Sequence, residues 1–322
     1  MPNSSTNLIR KPLLLKIWDQ HPKILSTIIN LGIFLKYKTI NTRKIPDKIK
    51  LISNHVIYID PSENRGKALL LKSGVTQNRL TDFWKDSVEL LEPSIVLDIG
   101  VNYGECLFST SYNANTTIIG VEANQRLLPY IKKSLREHPN QQQMKLIHGF
   151  ASDKDVETQN FYVNTNWSGT SSGIQMNDLP TMEVQQVKSF QIDTILSQYN
   201  LEKETVLFKV DVEGYEAFVL KGMKETFSQS KDAVGFIEFD SEYVKKSGII
   251  LFEFFTYLHN HFYLFAYETD QKVIEIQRGN IEEWVAQCEK ERIHTDIILL
   301  KNKDLIQNFS FTSTDKSNDS IC

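Results

Sequence analysis

The sequence predicts a doubly wound α/β fold: a mostly parallel sheet with an antiparallel element at its C-terminal end, preceded by an N-terminal helical arm. Five short runs carry the prediction. Ser94–Ile99, Thr116–Val121, Met144–His148, Thr205–Val210 and Ala233–Phe239 are nearly continuous in apolar and β-branched residues, the pattern of strands buried on both faces of a parallel sheet. Helical patterns lie between several of them. Leu127, Leu128, Ile131 and Leu135 make one apolar stripe in Asn124–Glu137, and Val219, Leu220, Met223 and Phe227 make another in Tyr215–Phe227. Such alternation defines βαβ units. Charge separates the arm from the rest: residues 1–50 hold ten Lys/Arg against two Asp, a net of +8, whereas the whole chain stands at −4.

The elements follow in order. Residues 1–8 and 309–322, rich in Ser, Asn, Thr and Asp, read as frayed tails. In the arm, 1–50, Leu13, Leu14, Ile17, Leu25, Ile28, Ile29 and Leu35 interleave with lysines as in amphipathic helices. These would cap an active-site mouth, form a homodimer contact, or rest on an anionic membrane surface. Residues 51–92 read as an extension of the core, with a strand at Lys50–Ile59 and a polar turn at Asp60–Gly66. The core is 93–308. Its last third predicts a helix near Gly248–Leu258, strands near Phe262–Tyr267 and Val273–Ile276, a helix at Ile281–Lys290 and a strand at Asp296–Leu300. Length alone suggests two domains, at roughly 150 residues each; the pattern instead reads as one domain with an accessory segment.

Composition excludes several function classes. A net charge of −4 gives no nucleic-acid signal, and Cys106, Cys288 and Cys322 are too far apart for a disulfide framework or a zinc finger. The longest uncharged apolar run of the arm, Ile24–Leu35, is shorter than the ~20 residues that span a bilayer. A cytoplasmic location is expected, with the inner face of a membrane left open by the basic arm.

Four segments carry chemistry. The first is Val96-Leu-Asp-Ile-Gly-Val-Asn-Tyr-Gly-Glu105, which ends the first core strand and is expected to open a helix. Gly100 and Gly104 permit unusual φ and close backbone approach to a ligand, and ligands of open α/β sheets sit beyond the carboxyl ends of the strands. Asp98 would repel a pyrophosphate and attract a cation, such as a sulfonium bearing an α-amino group. The second, Gly120-Val-Glu-Ala-Asn124, puts Glu122 about 20 residues further on, where an acid commonly takes both hydroxyls of a ribose. The third, Gly149-Phe-Ala-Ser-Asp153, offers a wall and an edge for an adenine. The fourth, Phe208-Lys-Val-Asp-Val-Glu-Gly-Tyr-Glu216, sets three carboxylates close together. Like charges so close raise a pKa or recruit a cation, although Glu216 also suits a helix N-terminus. Each has a plainer reading as well: a Gly-rich turn, a surface Glu before an N-cap, acids complementing a helix dipole. The polar insert Asn164–Pro180, with Trp167 and Ser171, reads either as a sugar-stacking loop or as a long solvated one.

Together DIGVNYGE, GVEAN, the insert Trp167–Gly173 and FKVDVEGYE with its following LKG resemble FkbM-type S-adenosylmethionine-dependent methyltransferases, from about Val56 to Leu300. The family's KxDxEGxE element falls on Lys209, Asp211, Glu213, Gly214 and Glu216, and its DxGxNxG element on Asp98, Gly100, Asn102 and Gly104. The resemblance implies a class I methyltransferase (Rossmann-like) fold and O-methylation of a sugar, glycan or natural-product hydroxyl, with S-adenosyl-L-methionine as donor. On that reading Asp98 holds the methionine amine, with Gly100, Asn102 and Gly104 around it. Glu122 holds the ribose, Phe150 and Ala151 border the adenine, and Asp153 reaches its amine. Asp211 and Glu213 face the methyl group, one as base; alternatively they bind a divalent cation that Glu238 and Asp240 would complete. Trp167, Ser171 and Glu238 would contact the acceptor. Residues 1–50 inherit no function from the family. Two rivals remain: a non-catalytic binding module, opposed by the intact acids, and a nicotinamide-dependent sugar enzyme, opposed by the Gly-x-x-x-Gly spacing.

Overall fold

A computed structural model describes residues 22–175 and 181–314. In chain order the elements are α1 (Pro22–Tyr37), β1 (Lys48–Lys50), β2 (Val56–Tyr58), α2 (Asn64–Leu71), α3 (Asn78–Leu91), β3 (Ile95–Ile99), β4 (Thr117–Glu122), α4 (Leu128–Glu137), β5 (Met144–His148), β6 (Phe150–Ala151), β7 (Val156–Asn164) and β8 (Met182–Phe190). They continue with α5 (Ile192–Leu196), β9 (Thr205–Val210), α6 (Glu216–Lys221), α7 (Lys224–Gln229), β10 (Asp232–Asp240), α8 (Ser241–Lys246), α9 (Leu251–His259), β11 (Tyr263–Thr269), β12 (Lys272–Ile276), α10 (Ile281–Lys290), β13 (His294–Leu300) and β14 (Thr312–Thr314).

The main sheet runs β14-β12-β11-β13-β10-β9-β3-β4-β5. Its half from β5 to β10 is parallel. β13 joins β10 antiparallel and is followed by antiparallel β11 and β12, so the expected antiparallel end is present. The parallel strands read IVLDI, TIIGVE and TVLFKV because both faces are covered: every residue of β3 is buried, as are five of six in β4 and in β9. Strand order reverses between β3 and β9, whose register pairs Asp98 with Lys209 and Ile99 with Val210. A crevice is expected beyond the carboxyl ends at such a reversal.

Five local expectations are corrected. Lys50–Ile59 is not one strand: β1 and β2 form an antiparallel hairpin, Lys48 opposite Tyr58, so the division at residue 50 cuts a paired unit. No α-helix follows the Gly100–Gly104 loop; Asn102 at φ 52° and Gly104 at φ 82° are both left-handed, and two such residues within three break a right-handed helix. The helix over Tyr215–Phe227 is split into α6 and α7 at Gly222, where a Cβ would stand 2.0 Å from the Ser152 carbonyl oxygen. Residues 309–314 are not frayed: Phe309 and Phe311 are buried and β14 pairs with β12. Finally, β6, β7 and β8 form a separate three-stranded sheet that the sequence reading missed. β7 and β8 each bury side chains mainly in their C-terminal halves, at Phe161 and Val163 and at Val187 and Phe190, and their polar N-terminal halves hide the strand pattern.

The arm is built into the body. Ile29 and Ile33 of α1 are buried in the same apolar cluster as Val96, Ile118 and Leu207 of the main sheet. Leu13, Leu14 and Ile17 lie outside the described residues. Among the described residues no helix is long and apolar enough to cross a membrane, and Cys106 and Cys288 are free and buried.

Candidate active site

A cavity of about 740 Å³ lies at the strand-order reversal, within the ~300–1,000 Å³ typical of small-molecule sites. Gly100, Asn102, Glu122, Phe150, Ala151, Trp167, Ser171, Asp211, Glu213 and Glu238 all line it. Thus ten of the residues singled out from sequence meet on one surface although they span 100 to 238. Asp98, Gly104 and Asp153 do not line it.

The floor is set by backbone geometry. Gly100 has φ 84°, and a Cβ there would lie 2.0 Å from the Asp211 carbonyl oxygen, so any side chain would force β3 and β9 apart. Asn102 donates its backbone N–H to Glu122 Oε2 at 2.7 Å, and Asn124 N–H donates to Glu122 Oε1 at 2.7 Å. Both carboxylate oxygens are therefore fixed, and each keeps a further lone pair for a donor from the cavity. Burial pushes Glu122 up to about 7, against the two N–H bonds that lower it. Phe150 packs on Phe161 and Tyr215, with ring centroids 5.6 and 4.6 Å away, and gives the cavity an aromatic wall beside Ala151.

Three residues expected to contact the ligand do not line the cavity. Asp98 is 0% exposed, and Lys209 Nζ donates to its Oδ1 at 3.1 Å and to the Gly100 carbonyl at 2.7 Å. A carboxylate buried in mid-sheet needs a cation beside it, and the neighbouring strand supplies one; this acid ties β3 to β9. Gly104 serves packing, since a Cβ there would meet the Phe108 ring at 2.3 Å. Asp153 follows the end of β6, where the chain turns toward β7; its Oδ1 accepts from Ser152 Oγ at 3.2 Å.

The far side of the cavity is acidic. Asp211, Glu213 and Glu238 each present a carboxylate oxygen, all within 4.8 Å of one another. Asp211 Oδ2 lies 3.6 Å from Lys209 Nζ. Glu213 sits at φ 53°. Burial first, then the facing carboxylates of Glu238 and Asp211, hold it well above the usual carboxylate range. Glu216 is not part of this face. It is buried, and its Oε1 accepts from the N–H groups of Val212 and Gly214, both at 3.1 Å, fixing the loop that carries Asp211 and Glu213. Burial raises it to about 7.

Several contributors were not singled out from sequence. Glu63, buried, accepts from Ser168 N–H at 2.7 Å, Tyr103 OH at 2.9 Å and the N–H groups of Arg65 and Gly66. It thereby joins α2, the glycine loop and the Trp167 insert. Arg65 lines the cavity and pairs with Glu105 at 2.8 Å. His294 lines it from β13, with Nε2 3.4 Å from Glu238 Oε1 and Nδ1 3.0 Å from Asp240 Oδ2; Arg292 pairs with Asp240 at 2.7 Å. None of these residues stands in a short motif. They converge only through the antiparallel end of the sheet and the α2 extension. Asp240 itself caps α8, accepting from the N–H groups of Glu242 and Tyr243.

Solved structures similar to the chain include the methyltransferase FkbM of Methylobacillus flagellatus KT, at 15% identity and TM-score 0.42. That match covers 73% of this chain and 54% of the other, so the chain spans little more than half of that relative. An O-methyltransferase of Bacillus cereus in complex with SAH matches at 8% identity and TM-score 0.38, over 73% and 86% of the two chains. TomG of Streptomyces achromogenes, an O-methyltransferase of tomaymycin synthesis in complex with SAM, matches at 9% and 0.40, over 75% and 88%. No curated protein matches the sequence. The family model of the methyltransferase FkbM domain matches residues 98–282, more than half of the chain. The match places the chain among proteins that carry a methyltransferase domain. Within that class it belongs to the FkbM family, through a core that starts at Asp98 and ends in α10.

Proposed function

We propose that this chain transfers a methyl group from S-adenosylmethionine to a hydroxyl of a sugar, glycan or glycosylated natural product. The observation that carries the reading is one cavity lined by two unlike sets of groups: Glu122 with the aromatic ring of Phe150, and the carboxylates of Asp211, Glu213 and Glu238 with a polar insert. The first set fits a nucleoside. Glu122 would accept from both ribose hydroxyls with the lone pairs that Asn102 and Asn124 leave, and Phe150 and Ala151 would border the adenine. Bound there, S-adenosylmethionine supplies a methyl group already activated as a sulfonium.

The protein's remaining tasks are alignment and proton transfer. Holding the acceptor in line contributes on the order of 7–11 kcal/mol, and a positioned base about 10²–10⁴-fold. Trp167 and Ser171 line the cavity and would meet the acceptor. Three carboxylates within 4.8 Å repel by about 3 kcal/mol per ionised pair at an effective dielectric near 20, so the cluster gains by taking up one positive charge. A proton from the acceptor hydroxyl is one source, with Asp211 or Glu213 as the base. A divalent cation is the second, since three carboxylate oxygens suit a hard cation, which would lower the hydroxyl's pKa.

Calorimetry with S-adenosylhomocysteine tests the first set: binding is expected, and none at millimolar ligand contradicts the reading. Labelled-methyl transfer to glycan fractions tests the second, with acid-stable label expected in an O-methyl sugar. Label confined to protein or nucleic acid contradicts the acceptor class. Activity abolished by EDTA and restored by Mg²⁺ selects the cation; unchanged activity selects the carboxylate base.

A further inference from the structure

We infer that the N-terminal helix α1 docks the enzyme on an anionic membrane surface. The helix buries one face, through Ile29 and Ile33, and packs on α2. Its opposite face carries Ile24, Ile28, Leu31 and Leu35, between 49% and 58% exposed. The spacing i, i+4, i+7, i+11 puts these four on one stripe, and Phe34, 47% exposed, widens it. Beyond the helix, Ile40 and Ile52 are 69% and 87% exposed. Isolated exposed apolar side chains are ordinary, but a contiguous row on one helix marks an interaction surface.

Charge chooses the occupant. Residues 22–50 contain seven Lys/Arg and one acid, Asp47. Lys23, Lys38, Arg43, Lys44 and Lys50 are exposed. The 21 residues that precede the helix are themselves basic, with Arg10, Lys11 and Lys16 against Asp19. Covering the stripe with that segment, or with a second copy of α1, would set basic surface against basic surface. An anionic lipid surface accepts both the apolar row and its cationic surroundings, which is the composition of interfacial helices. Leu25 and Ile29, toward the inward side of the same helix, line the cavity, so α1 links the exposed stripe to the site.

The test is flotation of the full-length chain with vesicles of equal parts phosphatidylglycerol and phosphatidylcholine, and with pure phosphatidylcholine. We expect the wild type to float with the anionic vesicles and to stay behind with the neutral ones. The double variant Ile28→Glu/Leu31→Glu should lose flotation at least about ten-fold while keeping its circular dichroism spectrum and its affinity for S-adenosylhomocysteine. Three results overturn the proposal: no flotation of the wild type, flotation unchanged in the double variant, or a wild-type dimer in sedimentation that the double variant dissociates. Flotation is read without methyl transfer, so its outcome is separate from that of the proposed activity.

Discussion

Two groups of acids stand at the carboxyl ends of the same sheet, and they are treated oppositely. At β3 and β4, Asp98 and Glu122 are met by the protein's own donors: Lys209 Nζ for the first, two backbone N–H groups for the second. Across the reversal, Asp211, Glu213 and Glu238 face one another across the cavity. A carboxylate with both oxygens held by backbone N–H groups, as in Glu122, keeps its geometry and can still accept a hydroxyl. The crowded set has Lys209 3.6 Å from Asp211 and His294 3.4 Å from Glu238 beside it, and three acids so close still suit the uptake of a proton or a cation. On the proposed function, recognition falls to the first group and chemistry to the second, and the flanking charges of the KxDxEGxE element hold the backbone between them. Lys209 anchors the glycine loop, while Glu216 ties down the backbone that aims Asp211 and Glu213.

The contrast can be broken at graded cost. Asp211→Asn should lower turnover by about 10²–10⁴-fold in a labelled-methyl assay; full activity would remove Asp211 from the chemistry. Asp98→Asn leaves Lys209 buried with a weaker partner and should cost about 3 kcal/mol of stability, read as an earlier urea midpoint; an unchanged midpoint would deny Asp98 its anchoring role. Glu122→Gln has a pH signature. Burial holds the folded carboxyl at about 7 against an ordinary value of 4.5, so the unfolded chain ionises first as pH rises. This group's contribution is complete below about 4.5 and is lost as pH rises through about 7, at up to ~1.4 kcal/mol per pH unit. The glutamine variant should therefore gain on the wild type across that window; a constant difference contradicts the burial argument. Smallest is Asp153→Ala, off the cavity, where stability should move by less than about 0.5 kcal/mol and S-adenosylhomocysteine affinity not at all. A ten-fold loss of affinity would return Asp153 to the adenine edge.

The sequence made the parallel half of the sheet legible because its strands are buried on both faces and carry little but apolar side chains. β7 and β8 escaped because long stretches of each face solvent. Ten of the thirteen residues expected at the site line it, since motif residues at strand ends are placed by topology alone. Asp98 shows the limit of that logic. Its position at a strand end was readable, but whether it points at a ligand or at Lys209 depends on the register between β3 and β9, which no local pattern encodes. Arg65 and His294 depend on longer-range packing still, through α2 and through β13 at the antiparallel end. In the arm, the amphipathic pattern was visible, yet which face is buried follows from the docking of α1 on α2.

The central claim is that one set of cavity groups binds the cofactor and the other performs the transfer. The most direct test is calorimetric titration of S-adenosylhomocysteine into wild type, Glu122→Ala and Asp211→Asn. The alanine variant loses two hydrogen bonds to a charged acceptor, each about 1.5–3 kcal/mol, so its affinity should fall by at least about a hundred-fold, while Asp211→Asn should bind as the wild type does. Equal affinity in the alanine variant, or loss of binding in the asparagine variant, would contradict the division.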